Sequence, residues 1–172
     1  LVELRGNAMQ QAVPAGTGAM FAIIGLENEA IIKACEQAAS ETGEIVSAVN
    51  FNSPGQVVIA GTKTAATRAG ELCKEAGAKR ALPLAVSVPS HCALMKPAAD
   101  KLAEALQNIT LNAPLVPVIN NVDVATETDA EKIRDALVRQ LYSPVRWTET
   151  VEKMAQDGVT TLYEIGPGKV LT

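Results

Sequence analysis

Hydrophobic residues along this chain recur at two spacings, one typical of helices and one typical of strands, and the alternation divides the chain into three stretches. In the first stretch, apolar residues recur every three or four positions up to Ala12, and Pro14 follows them. The apolar positions are Leu1, Leu4, Ala8 and Ala12. This spacing predicts a helix over residues 1–12 that packs on a neighbour through one face.

The second stretch, from 18 to 84, predicts six elements in a regular order. Short β-favouring runs alternate with segments of helical spacing as strand, helix, strand, strand, helix and strand. The predicted strands are 18–25, 44–50, 56–60 and 79–84, and the predicted helices are 27–40 and 63–76. Pro54 and Gly55 suit the two central positions of a type II turn, which predicts a hairpin between the middle strands. This β-α-β-β-α-β order is that of a ferredoxin-like unit.

The third stretch alternates strands and helices in a different way. Apolar runs predict strands at 116–119 and 160–165, and helical spacing predicts helices at 95–107, 129–141 and 147–156. Strands that alternate with helices favour α/β layers with a parallel sheet. We therefore expect an α/β chain in which residues 18–84 form one compact unit and a different α/β arrangement follows it.

Composition excludes several functional classes. With 172 residues, 48% of them apolar, the chain is long and hydrophobic enough to bury a core, so disorder is not expected. A net charge of −4 and scattered aromatic residues disfavour a nucleic-acid partner. Every apolar run is broken before it reaches the roughly 18 residues that a membrane-spanning helix needs. The three cysteines lack CxxC spacing, so the sequence predicts neither a disulfide framework nor a metal site. We expect a cytoplasmic protein without a metal or a membrane partner.

Two residues suggest chemistry by their positions. His91, the only histidine, follows an apolar run, at the kind of strand end where α/β proteins place their sites. Arg5 lies on or beside the apolar face of the first helix, where a guanidinium needs an anion. Each residue has a plain alternative: a hydrogen-bonded structural histidine, and an arginine that pairs with a buried carboxylate or extends to solvent. A substrate carboxylate held by two hydrogen bonds is the functional interpretation of Arg5.

Amide side chains gather at two predicted turns. Asn50, Asn52 and Gln56 flank the tip of the hairpin, and Asn121 belongs to an Asn-Asn pair after an apolar run. Asparagine in turns commonly bonds to nearby backbone, so a structural role and a binding role both stay open.

Three familiar catalytic patterns are absent from the sequence. The segment 166–169 is not a phosphate-binding loop, because the GxxxxGK[ST] spacing is missing. Cys92 is a poor nucleophile for the neighbouring His91, since adjacent residues of an extended chain point to opposite faces. No serine lies in a GxSxG turn. If His91 is a catalytic base, its nucleophile is therefore not among these residues.

Six segments together resemble one enzyme family. In chain order they are LVELRG, NFNSPGQVVIAG, SVPSHCALM, VINNV, QLYSPVRW and LYEIGPGKVL. In this order they are similar to the bacterial malonyl-CoA:acyl carrier protein transacylases, and more distantly to the acyltransferase domains of polyketide and animal-type fatty acid synthases. The resemblance runs over the whole chain. It implies an α/β-hydrolase-like large subdomain, to which residues 1–16 and 86–172 belong, with a ferredoxin-like small subdomain, residues 17–85, inserted in it.

The resemblance also implies a ping-pong acyl transfer and its residues. A serine takes the malonyl group from malonyl-CoA and passes it to the phosphopantetheine thiol of acyl carrier protein, with no resident cofactor. His91 corresponds to the base, Gln140 to the residue whose backbone carbonyl orients it, and Arg5 to the partner of the malonyl carboxylate. The residues in segments that line the acyl or pantetheine channel are Asn50, Asn52, Gln56 and Asn121. The resemblance further leads us to expect a monomer.

The chain departs from the family pattern at the nucleophile. The GHSLG serine is absent from these 172 residues, so we expect an incomplete large subdomain and no acyl transfer by this polypeptide alone. Two alternatives stay open: a binding module without chemistry, and the acyltransferase domain of a polyketide synthase. A thioesterase is disfavoured, because it needs no arginine for a substrate carboxylate.

Overall fold

The structure is a computed structural model that describes residues 1–86, 88–166, 168–169 and 171. Its helices are α1 (Val2–Ala12), α2 (Asn28–Thr42), α3 (Lys63–Glu75), a short 3-10 helix (Ala93–Met95), α4 (Lys96–Gln107), α5 (Ala130–Arg139) and α6 (Trp147–Gln156). Its strands are β1 (Gly18–Ile24), β2 (Val46–Ser53), β3 (Gln56–Thr62), β4 (Arg80–Pro83), β5 (Ile119–Asn120) and β6 (Ala125–Thr126).

Four strands form an antiparallel sheet in the order β2-β3-β1-β4. The two helices that connect them, α2 and α3, pack against each other and share one apolar core with the sheet. The largest fully buried side chains of this core are Ile23, Ile31, Ile59 and Val57. The six elements expected between 18 and 84 are thus present in the expected order.

The hairpin between β2 and β3 turns through Pro54 and Gly55. Gly55 has φ +74°, which the second central position of a type II turn requires, and its carbonyl accepts a hydrogen bond of 2.7 Å from the backbone N–H of Gly25. The turn predicted from the Pro-Gly pair is therefore confirmed.

Gly61 in β3 carries a stability prediction, because the neighbouring strand passes very close to it. A Cβ placed there would lie 2.1 Å from the carbonyl oxygen of Ile45 and 2.6 Å from the Cα of Val46. We expect Gly61→Ala to lower the free energy of unfolding by about 1–3 kcal/mol, measured by urea denaturation of the full-length protein. Gly70→Ala is the matched control, since its Cβ would meet only ordinary contacts of 3.7 Å or more. Equal stability of the two variants would contradict the prediction.

A second core lies between α1, α4 and the end of α5. It contains Ala8, Met95, Leu102, Leu106 and Leu141, all nearly or fully buried. The apolar face expected for the first helix is only partly correct. Ala8 is buried, but Leu1 and Leu4 are 48% and 41% exposed and line a cavity between α1 and α4.

The parallel sheet expected for residues 86–172 is not found among the described residues, where the only sheet of this stretch is the antiparallel pair β5-β6. The predicted strand 116–119 is reduced to Ile119, and 160–165 forms no strand. Strands need a neighbour for their backbone hydrogen bonds, and within the described part of the chain only Ile119 of these two runs has one, Thr126 of β6. Their side chains are correspondingly exposed, as in Val116, Tyr163 and Ile165. Pro167, within the segment compared with a phosphate-binding loop, lies outside the described residues.

The edge strand β2 joins the two parts of the molecule. Val145 pairs with Asn50 in an isolated parallel bridge: its N–H donates to Val49 at 2.7 Å, and its carbonyl accepts from Phe51 at 2.9 Å. The hydroxyl of Thr148 donates to the carbonyl of Phe51 at 3.1 Å. These bonds hold the segment between α5 and α6 beside the sheet. Among the described residues, no helix combines the length and the apolar character that crossing a bilayer requires.

Candidate functional site

His91 lies in the turn before the 3-10 helix, in an unusual backbone conformation. Its φ of +64° is in the left-handed region, where side chains other than glycine are uncommon and where asparagine, aspartate and histidine are the most frequent exceptions. Its backbone N–H donates to the carbonyl of Leu141 at 3.0 Å. Such strain is found where surrounding contacts fix the chain, and it clusters at functional sites.

The imidazole ring of His91 is tethered to the backbone that follows α5. Nδ1 lies 2.9 Å from the backbone carbonyl oxygen of Gln140. A carbonyl can only accept, so Nδ1 carries the proton in the neutral ring and Nε2 keeps a free lone pair. Gln140 follows α5, whose first turn is capped by Asp129 through bonds of 3.0 Å to the N–H groups of Glu131 and Lys132. The arrangement therefore presents Nε2 as a proton acceptor.

Burial and a nearby charge together lower the pKa of His91 below its usual range. Burial of the ring is the largest cause, and the bond to the Gln140 carbonyl opposes it, because that bond favours the protonated ring. The positive charge of Arg5 lowers the pKa further, and a backbone contact with Ser143 raises it slightly. His91 is consequently neutral at pH 7 and able to act as a base.

The effect of Arg5 on His91 leads to a pH prediction. Removing the positive charge by Arg5→Met stabilises the protonated imidazole, so we expect the pKa of His91 to rise and the neutral base to be lost at a higher pH during acidification. A ¹⁵N NMR titration of the His91 ring in the full-length protein measures this. Arg80→Met removes an exposed charge of β4 and should leave the titration unchanged. A pKa of His91 that falls or stays constant in Arg5→Met would refute the assignment.

Arg5 lies on α1 and is partly buried, and burial lowers its pKa. Among the described residues, no carboxylate lies within salt-bridge distance of its guanidinium. Its positive charge contributes to lowering the pKa of the His91 ring. Arg5 is not, however, among the described residues that line the cavity beside His91.

The amide residues expected at the site divide between two cavities. Asn50 shares a cavity of about 530 Å³ with His91 and Ser90. Asn52 and Gln56 instead line a cavity of about 420 Å³ beside Val145 and Trp147. The structure therefore joins Asn50 to the histidine and leaves Asn52 and Gln56 at the neighbouring hairpin tip.

Asn121 contacts Gln140 through a bond that sequence analysis missed. The Gln140 side-chain nitrogen Nε2 donates to Asn121 Oδ1 at 2.9 Å, and the Asn121 backbone carbonyl accepts from the N–H of Arg146 at 3.2 Å. The only sequence signals were an Asn-Asn pair after an apolar run and a glutamine at a helix end. Neither signal indicates that the two amides meet. A group of three or more potential metal ligands does not occur in the described part of the chain.

A neutral histidine tethered through Nδ1 is able to accept a proton at Nε2, and a partly buried arginine is able to receive an anionic ligand. Comparison with known proteins identifies the family. The family model described as "Acyl transferase domain" matches residues 1–172. This chain therefore belongs to the acyl transferase domain family.

Curated proteins similar to this chain carry a more specific name than the family does. The chain is 77% identical to the malonyl CoA-acyl carrier protein transacylase of Haemophilus influenzae, over 99% of this chain and 54% of that protein. It is 50% identical to the protein of the same name from Bacillus subtilis, over 99% of this chain and 54% of that protein. The resemblance found in the sequence is thereby confirmed. The chain spans about half the length of the curated relatives it matches.

Solved structures show the same similarity. The crystal structure of an acyl carrier protein S-malonyltransferase from Vibrio cholerae matches with a TM-score of 0.94 and 74% identity, over 97% of this chain and 54% of that one. A malonyl-transacylase in complex with its type II polyketide acyl carrier protein matches with a TM-score of 0.94 and 69% identity, over 97% of this chain and 53% of that one. The chain is thus an α/β protein similar to malonyltransferases.

Proposed function

We propose that the full-length protein containing this chain transfers a malonyl group from malonyl-CoA to the phosphopantetheine thiol of an acyl carrier protein in fatty-acid synthesis. The observation that carries the proposal is the His91 ring, which is tethered through Nδ1 to the Gln140 carbonyl and lies within the field of Arg5. A family of acyl transferases and relatives named for malonyl transfer support it.

In the proposed reaction His91 moves one proton at a time. Nε2 accepts the proton of a serine hydroxyl as that oxygen attacks the malonyl thioester, and then returns the proton to the leaving CoA thiolate. In the second half, Nε2 accepts the proton of the phosphopantetheine thiol as its sulfur attacks the malonyl ester, and returns it to the serine. The serine lies outside these 172 residues, which contain no GxSxG turn.

Two further groups take part in the proposed reaction. The Gln140 carbonyl replaces the carboxylate that orients histidine in many hydrolases, and it keeps the proton on Nδ1 while Nε2 reacts. The Arg5 guanidinium pairs with the free carboxylate of the malonyl group. An acyl group without that carboxylate would leave the partly buried guanidinium without its anion, which disfavours its transfer. Asn50 borders the cavity of His91 and is proposed to contact the acyl group, and Asn52 and Gln56, which border the neighbouring cavity, are proposed to line the acyl or pantetheine channel.

We also propose a division of the chain into subdomains. Residues 17–85 form a ferredoxin-like small subdomain, and residues 1–16 and 86–172 belong to an α/β-hydrolase-like large subdomain into which it is inserted. The strand order β2-β3-β1-β4, with both helices of the unit in one core, supports the first part. The bridge between Asn50 and Val145 joins the two parts beside the site.

Covalent labelling tests the proposed function. The full-length protein is incubated with radiolabelled malonyl-CoA, and we expect one malonyl ester per molecule, which disappears when phosphopantetheinylated acyl carrier protein is added and reappears on that protein. Acetyl-CoA should label the protein poorly. If malonyl-CoA leaves no covalent label, the protein is a binding module instead.

A further inference from the structure

His91 is held by two consecutive carbonyl groups that follow α5. The Gln140 carbonyl accepts from the ring at 2.9 Å, and the Leu141 carbonyl accepts from the His91 backbone N–H at 3.0 Å. Leu141 is fully buried in the second core, which fixes the backbone bond. The position of the Gln140 carbonyl therefore decides where the imidazole points.

The side chain of Gln140 is itself held by the loop that connects β5 and β6. Its Nε2 donates to Asn121 Oδ1 at 2.9 Å in a partly buried position. The same loop is bonded to the start of α6, since the Arg146 N–H donates to the Asn121 carbonyl at 3.2 Å and the Arg146 guanidinium donates to the Val122 carbonyl at 3.3 Å. The loop thus lies against the ends of two helices, and Asn121 is its contact with Gln140.

We propose that the side-chain amides of Asn121 and Gln140 form a pair that positions the carbonyl orienting His91. Both are positioning residues for the reaction, Asn121 through Gln140 and Gln140 through its backbone. The inference rests on the proposed function for its effect on rate, but not for its effect on the histidine ring. It assigns Asn121 a role different from lining the acyl channel.

The strained backbone of His91 explains why such support matters. With φ at +64°, His91 lies outside any helix or strand, so no regular secondary structure holds its backbone. Its ring is oriented by an acceptor that lies 49 positions away in the chain. A misplacement of about 1 Å at a reacting group can cost about 10²-fold in rate. The amide pair opposes such a shift, because breaking it leaves a partly buried N–H without its acceptor.

The test uses two variants of the full-length protein, each removing one half of the pair. Gln140→Met keeps the length of the side chain and Asn121→Leu keeps its size, so each removes the hydrogen bond with little change in volume. We expect the single-turnover rate of malonyl-enzyme formation to fall by up to about 10²-fold, with KM for malonyl-CoA within about twofold of the wild type. The double variant should lose no more than the slower single variant, since the bond is already absent.

A second readout reports on the ring itself. ¹⁵N NMR distinguishes the two neutral tautomers of His91, and we expect the Nδ1–H form to lose population in both variants. Weakening the carbonyl bond also removes a contribution that raises the pKa of His91, so the acid limb of the pH–rate profile should move to lower pH. Arg5, the charged group that acts on the ring, is unchanged in every variant.

Two further variants distinguish loss of the Asn121–Gln140 hydrogen bond from a general destabilisation of the loop between β5 and β6. Asp123→Asn weakens the ion pair of Asp123 with Arg139, now 2.7 Å long, but leaves the amide pair intact, and should change neither rate nor tautomer by more than about twofold. Asn121→Asp retains an oxygen acceptor for Gln140 and should restore most of the rate. If Asn121→Leu does not fold, as judged by circular dichroism, Asn121→Ala removes the same oxygen.

The outcomes decide the proposal in either direction. An unchanged rate and tautomer in Gln140→Met and Asn121→Leu would overturn it, and so would a raised KM with an unchanged rate, which would make Asn121 a substrate contact. If the wild type takes no malonyl label at all, the proposed function fails, and the tautomer measurement still tests the positioning pair on its own.

Discussion

Replacing His91 by alanine in the full-length protein should slow formation of the malonyl ester by about 10²–10⁴-fold, the range that general base catalysis supplies. The reason is geometric. The Nδ1 bond to Gln140 leaves Nε2 as the acceptor, and burial keeps the ring neutral at pH 7, so the side chain is ready to take a proton before substrate arrives. Rapid-quench measurement of labelled ester against time gives the rate.

The same variant should bind malonyl-CoA nearly as well as the wild type. Arg5 remains, so KM or an equilibrium affinity should change by only a few fold, and the loss should fall on the chemical step. Cys92→Ser is a useful control: it alters a buried neighbour that bonds to the Pro89 carbonyl but has no part in the proton transfer. A rate close to normal in His91→Ala would remove His91 from the mechanism.

Replacing Arg5 by alanine should weaken malonyl transfer and improve the tolerance of acetyl groups. Loss of a partly buried, charge-assisted bond costs about 2–5 kcal/mol, which corresponds to a decrease of about 30-fold or more in kcat/KM for malonyl-CoA. Acetyl-CoA makes no bond to the guanidinium and no longer leaves a charge unpaired, so its transfer should stay constant or improve. Competition between the two thioesters, with the enzyme-bound ester identified by mass spectrometry, measures the ratio.

Two further substitutions interpret that result. Arg5→Lys keeps the charge without the planar pair of donors, and should recover part of the malonyl preference. Arg80→Ala removes an exposed arginine of β4 and should leave the preference unchanged. If Arg5→Ala retains the wild-type ratio of malonyl to acetyl transfer, Arg5 does not recognise the malonyl carboxylate.

Sequence patterns were most informative where each segment has a clear periodicity and a partner within the chain. Between 18 and 84, alternation of spacing and the Pro54-Gly55 turn predicted every element, and each strand finds a neighbour in the four-stranded sheet, β2 beside β3 in a hairpin and β1 between β3 and β4. The predictions failed at 116–119 and 160–165, where an apolar run alone indicated a strand. A strand also requires a partner, and among the described residues only Ile119 of these two runs has one, in β6.

The site was predictable in its residue types and less so in its contacts. His91 and Arg5 were singled out by position, and the resemblance to acyltransferases connected Gln140 with His91. No local pattern shows that the Gln140 side chain meets Asn121, because the two amides are 19 positions apart and come together only through the packing of α5 on the β5-β6 turn. The left-handed backbone of His91, whose N–H bonds to the Leu141 carbonyl 50 positions away, is likewise not indicated by any local sequence pattern.

The left-handed backbone of His91 affects the choice of substitution when an inactive variant of the protein is prepared. A residue with a β-carbon pays about 1–2 kcal/mol at φ near +60°, and asparagine is among those that tolerate it best. His91→Ala therefore mixes lost chemistry with lost conformational preference, whereas His91→Asn removes the imidazole from a residue type suited to the turn. A trapped complex with malonyl-CoA is better prepared with asparagine at this position, since the chain around the site then keeps its shape.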